Sequence, residues 1–506
     1  MAVTPVGYQR LIQQHQLPAL PLVQIAQIDT RTKGRETHST GSVDYLTFET
    51  RYAPESTLQD DLQFALRYEG VNLEVLELLF ARIGPKPMEA WLRSHPESAY
   101  ARRAGFLYEW TTGKELDIPA LSSRMSYVAA LDESLQFGTC DAGEANRKYG
   151  VRNNLPGTPE FCPLIRKTNA ILEMSEKNLR ARAQETLSCY DAGLIRRAAQ
   201  YLYLKETRSS YDVERERPSA GRIQRFIDLL RTADVGQPLS QERFVHLQNA
   251  ALEPRWHEFV YRSQQNWVGS NHHNREAVDF VPPRPEDVLS LMTGLCAYSE
   301  RGRSAAAKSD AYDPVIHAAA IAFGFVFIHP FMDGNGRLHR YLIHEELSIL
   351  KFTPKGIALP VSAFILANVD EYVSILERFS RPRLAQTEFD PQLPQIQARG
   401  NDSVYFRFFD ATAQALFLYR ALERTVMHDL REEINYLIGL DQSRANLKNA
   451  VDWPGQSLDQ FINIVRQGNG VLSKTKRTSL FHWMTDEEIA RFIPIVNEAF
   501  EKQPNT

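Results

Sequence analysis

Residues 318–349 read AAAIAFGFVFIHPFMDGNGRLHRYLIHEELSI and change character twice. The opening run, Ala318 to Ile328, is apolar throughout and well short of the roughly 20 residues that span a bilayer. It predicts a helix buried in a protein core. Pro330 biases the residue before it away from helical angles, so His329 is expected at a helix end, in a crevice. The next residues, PFMDGNG, form helices poorly, whereas RLHRYLIHEEL restarts a helical pattern at about Gly336. The stretch reads as helix, loop, helix.

The loop carries the chemistry. A glycine-bearing loop that runs into a helix N-terminus exposes unpaired amide hydrogens at the positive end of the helix dipole, which suits a phosphate. Gly334, Asn335 and Gly336 would form that cradle. Arg337 and Arg340 share one face of the new helix and add two guanidinium forks for phosphate oxygens. Asp333 has the wrong sign for a phosphate and the right one for a hard cation that bridges phosphate oxygens, which implies Mg2+ with a nucleotide. His329 is the candidate base, since imidazole is the side chain best placed by its ordinary pKa to accept a proton near neutrality. Singly, these residues have plain structural uses as an N-cap, a turn, a solvated helix face or a core histidine. Their joint spacing points to attack by a hydroxyl on a nucleotide phosphate. The stretch is not a Walker A loop, because it lacks GxxxxGK[ST].

HPFMDGNGRLHR fits HxFx[DE]GNGRxxR at every defined position, and on these residues the chain resembles the Fic family. Most Fic proteins transfer AMP from ATP to a hydroxyl side chain of a target protein and release pyrophosphate. The resemblance implies a mainly α fold: a Fic-type helical core with a small β-hairpin flap, plus helical N- and C-terminal accessory regions. It makes His329 the base toward a target Ser, Thr or Tyr, Asp333 the Mg2+ ligand at the α- and β-phosphates, and Phe331 the loop anchor. Gly334, Asn335 and Gly336 would cradle phosphate, Arg337 would bind the middle phosphates and Arg340 the γ-phosphate. A kinase-like branch similar to the Doc toxins carries lysine where Gly336 stands, so AMP transfer is favoured over phosphate transfer. YRSQQNWVG and EAVDFV flank the turn SNHHNR and read as a hairpin over about 261–281, the place of a flap that would hold a target segment as an added strand. ILANVDEYV resembles the helix that lines the adenine pocket, making Asn368 and Tyr372 candidate base contacts, although Tyr372 at helical spacing from Val369 and Leu376 is also a core pattern.

Many Fic proteins carry an inhibitory helix with the pattern [ST]xxxE[GN], whose glutamate pairs with the second arginine of the motif. SSYDVER supplies Ser210 and Glu214, one helical turn apart, in a helix expected near 205–217. Arg215 departs from the pattern. A rival, Glu69 before Gly70, has Ala65 where the pattern needs Ser or Thr. The chain is thus expected to be an autoinhibited adenylyltransferase, with self-modification as a corollary. Other readings stay open: phosphate transfer, removal of AMP from a modified target, a non-catalytic nucleotide-binding regulator, or a toxin restrained by a separate protein.

The rest of the chain frames this site. Its 506 residues allow two to four domains, placed at 1–200 (an accessory, mainly helical region), 201–395 (the Fic core) and 396–506 (a C-terminal helical region). Residues 1 to about 55 read as irregular, the helical signal DAGLIRRAAQYLYLKETRSSYDVERER runs to Pro218, and the proline-bearing segment 381–402 reads as a linker. A net charge of -4 gives no bulk reason for a nucleic-acid or membrane partner. Cys140, Cys162, Cys189 and Cys296 form no CxxC pair, and the start lacks the features of a signal peptide, so a cytoplasmic home is expected. His272 and His273 read as a solvent-exposed turn, and His339 with His344 is not HExxH.

Overall fold

Helices with apolar residues at three- and four-residue spacing dominate the structure, a computed structural model that describes residues 3–119, 126–139, 143–272, 275–387, 402–453 and 456–501. Cys140, His273 and most of segment 381–402 lie outside the described residues. The fold is mainly α, and no helix of the described residues is long and apolar enough to cross a membrane.

The first 55 residues are not irregular. They hold a sheet ordered β1-β2-β4-β3, built from β1 (Thr4–Pro5), β2 (Gln24–Ile28), β3 (Arg35–Thr40) and β4 (Val43–Phe48). Sequence could not reveal it, because all of β3 is exposed and shows no apolar alternation, and β2 pairs in parallel with β4 across an intervening strand. α1 (Tyr8–His15) and α2 (Leu58–Tyr68) meet this sheet, and α3 (Leu73–Ile83), α4 (Pro85–Ser94) and α5 (Ala99–Thr112) pack with them around Leu66, Leu76, Phe80 and Leu107. A smaller sheet, ordered β5-β7-β6, follows from β5 (Val128–Ala129), β6 (Glu144–Asn146) and β7 (Val151–Asn153).

The main core begins with α6 (Asn169–Glu176), α7 (Leu179–Ser188), α8 (Ala192–Val213), α9 (Ala220–Arg231) and α10 (Gln241–Ala251). The hairpin β8 (Val268–His272) and β9 (Arg275–Phe280) comes next, then α11 (Pro285–Lys308), α12 (Pro314–Ile328), α13 (Asn335–Ile349), α14 (Val361–Ala367) and α15 (Val369–Leu384). Nearly every residue of α12 is buried, which makes it the central helix the apolar run predicts. The C-terminal region adds α16 (Ser403–Arg407), α17 (Thr412–Arg424), α18 (Leu430–Ala450), α19 (Ser457–Gln467), α20 (Lys474–Leu480) and α21 (Asp486–Glu501).

Burial does not divide the chain where composition suggested. α8 runs unbroken through residue 200, and Leu187, Leu194 and Leu202 share one apolar cluster with Ile321 and Leu338. Beyond residue 396, Phe406, Phe417 and Leu437 join that same cluster, and a separate one forms only past Leu440, around Phe461, Ile462 and Phe492. A proline-rich segment signals an interruption in helix; whether the helices after it pack back is decided by their apolar faces. α8 also ends at Val213 rather than near Pro218, for a reason that concerns the site.

Candidate active site

His329 caps the C-terminus of α12 in the left-handed conformation, φ +53°. That backbone costs a residue with a Cβ about 1–2 kcal/mol, so its neighbours must hold it. The segment 258–266 does so at four consecutive motif residues. Arg262 Nε donates to His329 O at 2.8 Å, and Arg262 N donates to Pro330 O at 2.8 Å. Asn266 Nδ2 donates to Phe331 O at 2.9 Å, and Met332 N donates to Glu258 Oε1 at 2.9 Å. Phe331 is buried, with its ring 5.6 Å from that of Tyr261. Burial pushes the Arg262 guanidinium down to about 10 and raises the Glu258 carboxyl.

The tautomer of His329 follows from its partner. Nδ1 lies 3.2 Å from Val326 O, and a carbonyl only accepts, so Nδ1 carries the proton and Nε2 presents its lone pair. Burial lowers the imidazole pKa to about 4. The near-neutral titration expected from residue type is displaced, and the side chain is an uncharged acceptor at physiological pH.

Next in the loop, Asp333 Oδ1 accepts from Gly334 N at 2.6 Å and from Arg337 Nη2 at 3.2 Å. Its Oδ2 has no partner among the described residues, and the side chain is 48% exposed. Gly334 (φ +86°) is the N-cap of α13, and no side chain caps that helix. The Asn335 side chain is spent inside the loop, accepting from Phe331 N at 3.1 Å and donating to Phe331 O at 2.7 Å. Only its backbone amide is left for an anion.

Beyond the loop, α13 lies antiparallel to α8 in a register of four-residue steps. Glu206 and Ser210 on α8 and Glu214 at its C-cap meet His344, Arg340 and Gly336 on α13, in that order. On the first rung Glu206 Oε1 is 2.9 Å from His344 Nε2, and Glu206 also holds the start of α14 by accepting from Ser362 N at 2.8 Å. On the second, Arg340 donates through Nε to Ser210 Oγ at 2.7 Å and through Nη2 to Ser210 O at 2.8 Å. On the third, Glu214 Oε1 accepts from Arg340 Nη2 at 2.6 Å while Oε2 lies 2.9 Å from Arg337 Nε. A Cβ on Gly336 would stand 2.5 Å from Glu214 Oε1, so a larger residue there would make the carboxylate shift. Arg337 further meets Glu216 at 3.2 Å and lies over the Tyr211 ring at 5.6 Å. Burial works against its charge, but Glu214, Glu216 and Asp333 outweigh it and hold the pKa raised.

The helix of Glu214 stops in a Schellman turn: Glu216 N donates to Tyr211 O at 3.0 Å and Arg215 N to Asp212 O at 2.9 Å. Arg215 sits at the left-handed position, φ +57°. Glycine and asparagine take this backbone most easily, and Arg215 takes it here with its side chain exposed.

Helix, strained histidine, glycine-capped loop and two buried arginines all fall in one stretch that matches a family model, Fic/DOC family, over residues 238–347. This stretch is a Fic/DOC family domain. It takes in the hairpin, α12, the loop and most of α13, while α8 lies outside it. Among solved structures, the chain is similar to a Fic family protein from Desulfovibrio desulfuricans at 16% identity, over 62% of this chain and 87% of that one, with a TM-score of 0.35. It is also similar to a Fic domain containing signaling protein from Bacteroides thetaiotaomicron at 18% identity, over 51% and 96%, with a TM-score of 0.33.

Not every predicted residue is drawn into the Fic site. Tyr372 is buried, its ring 6.1 Å from His339 and 5.7 Å from Phe417, and burial raises its hydroxyl pKa against the pull of Arg340. It is a core residue beside the motif arginine. Asn368 Nδ2 donates to Phe364 O at 2.9 Å at the junction of α14 and α15. The rival Glu69 accepts from Tyr8 N at 3.0 Å in the N-terminal unit. The hairpin begins at Val268, later than expected, because 258–266 is occupied in holding the Fic loop. Sequence reasoning missed Arg262, Glu258, Asn266 and Glu216, which carry no local signal. Glu206 and His344 could have been found, since both extend the four-residue spacings of Glu214 and Arg340.

Proposed function

We propose that the Fic domain transfers AMP from ATP to a hydroxyl of a target protein, and that Glu214 holds it inhibited. The observation that carries this reading is the third rung: Glu214 engages both motif arginines, at 2.6 and 2.9 Å, where phosphate oxygens would otherwise be received. His329 Nε2 accepts the proton of the target hydroxyl, whose oxygen forms a bond to the α-phosphorus as the bond to the bridging oxygen breaks and pyrophosphate leaves. Arg340 and Arg337 neutralise phosphate charge once Glu214 withdraws, and the open amides at the start of α13 add to that field.

The residues fit Mg2+ with ATP. Asp333 offers a partly exposed oxygen without a partner among the described residues, and Arg337 Nη1 is buried with no hydrogen-bond partner there. Bound to Asp333, Mg2+ supplies charge neutralisation across the phosphates. The strand edge of β8–β9 is the place for a target segment.

Incubation of the Glu214→Gly protein with ATP labelled at either the α- or the γ-phosphate tests the reading, with mass spectrometry to locate the adduct. AMP transfer predicts α-label on protein hydroxyls, including the chain's own. Transfer of γ-label alone would reject it in favour of phosphate transfer.

A further inference from the structure

A cavity of about 700 Å³ lies between the N-terminal unit and the main core. None of its lining residues belongs to the 329–340 motif. One wall is made by residues 20–24 and 69–74, the other by α15 and residues 408–414. A volume of this size encloses most of a small organic ligand.

Two buried charges of opposite sign line it without forming a pair. Arg383, near the end of α15, donates through Nε and Nη2 to Tyr405 O at 2.9 and 2.6 Å and through Nη1 to Phe379 O at 2.7 Å. These carbonyls satisfy hydrogens but not charge, and no carboxylate lies within ion-pair distance among the described residues. Glu74, on α3, accepts from Leu20 N at 2.8 Å through Oε1. Its other oxygen has no partner, and no cation pairs with it, among the described residues. Burial raises Glu74 to about 6 and lowers Arg383 to about 9, each eased by the field of the other.

An anion and a cation kept buried but apart recover only part of the attraction that would offset their desolvation. Of the other arginines that line it, Arg166 is neutralised by Asp44 at 2.7 Å and Asp410 at 2.6 Å, Arg381 pairs with Glu377 at 2.7 Å, and Arg378 is exposed. The mixed lining also holds the apolar side chains of Leu22, Val71, Phe408 and Phe409. A ligand that completes this surface carries a cation, an anion and an apolar body.

We propose that the cavity binds a zwitterionic small molecule of the amino-acid type, an apolar amino acid or dipeptide, with its ammonium toward Glu74 and its carboxylate toward Arg383. The proposal is independent of the chemistry of the Fic site.

The test is thermal shift and titration calorimetry on the full chain, with L-phenylalanine and the dipeptide leucyl-phenylalanine as probes. N-acetyl-L-phenylalanine amide, which lacks both charges, is the control. At millimolar concentration at least one zwitterion raises Tm and gives binding heat, and the capped control does neither. Glu74→Gln keeps an acceptor for Leu20 N and weakens binding about tenfold or more. Val23→Trp, at a lining position that is 38% exposed, narrows the cavity without disturbing a buried partner and serves if Glu74→Gln fails to fold. Absence of binding by both zwitterions, equal binding of the capped control, or unchanged binding in the folded variants overturns the proposal.

Discussion

Replacing Glu214 with glycine removes a side chain that bridges both motif arginines. Its carboxylate meets Arg340 Nη2 at 2.6 Å and Arg337 Nε at 2.9 Å, and with 24% exposure it is only partly screened. A hydrogen bond to a charged group contributes about 1.5–3 kcal/mol net. The second contact adds less than the first, since one carboxylate divides its charge between two guanidinium groups. The loss does not strand either arginine. Arg340 keeps Ser210 Oγ and O at 2.7 and 2.8 Å, and Arg337 keeps Glu216 and Asp333 at 3.2 Å each, so the fold should survive. If ATP must displace one such contact to bind productively, its removal speeds label transfer by about ten- to a hundredfold. The assay is the initial rate of transfer from α-labelled ATP by wild type, Glu214→Gly and the isosteric Glu214→Gln, with Glu214→Gly/His329→Ala as the blank. Equal rates for wild type and Glu214→Gly, or an enhancement that survives loss of His329, would refute the reasoning.

Four further outcomes follow from the same geometry. Arg215 occupies a left-handed position at φ +57°, so Arg215→Gly should relieve about 1 kcal/mol of strain, raise Tm slightly and lower basal transfer; an unchanged or lower Tm would count against it. His329 must be neutral to act and its pKa is lowered to about 4, so the Glu214→Gly rate should be flat through neutrality and fall only as pH approaches that value; an apparent pKa between 6 and 7 would contradict the buried base. The same shift makes stability depend on pH, because the unfolded histidine takes up its proton first: the contribution is complete above 6.5 and is lost as pH falls toward 4, readable by denaturant titration. Gly336→Ala puts a Cβ 2.5 Å from Glu214 Oε1 and should push the carboxylate off the arginines, changing stability by a different amount when Glu214→Gly is already present; strictly additive changes in that double-mutant cycle would deny the contact.

Much of the site was legible because its determinants are local. Pro330 ends α12 at His329, Gly334 and Gly336 open the next helix, and the apolar run from Ala318 announces a buried element. The hairpin was visible from its turn, although its start was misjudged by several residues because the strap 258–266 looks in sequence like a continuation of the strand. The strap itself was not legible. Arg262 reads as one more surface arginine until the fold places it over the carbonyls of His329 and Pro330. The N-terminal sheet was missed for the opposite reason: its exposed β3 shows no alternation, and its central pairing is parallel and non-local.

By itself the sequence determined what each segment can be: a central apolar helix, a helix end at His329, an amide-rich helix start, and a helical face with Ser210 and Glu214 one turn apart. Backbone preference and periodicity act over a few residues, so they can be read without knowing the neighbours. Only the tertiary structure decided that this face meets α13 antiparallel, rung against rung, with glycine where the carboxylate needs room. The physical reason is that buried charge must be partnered, and Glu214, the carboxylate that meets both Arg337 and Arg340, comes from the end of a helix more than a hundred residues earlier in the chain. Packing of apolar faces brings that helix to the motif, and the register it adopts places a carboxylate on the arginines proposed to receive phosphate.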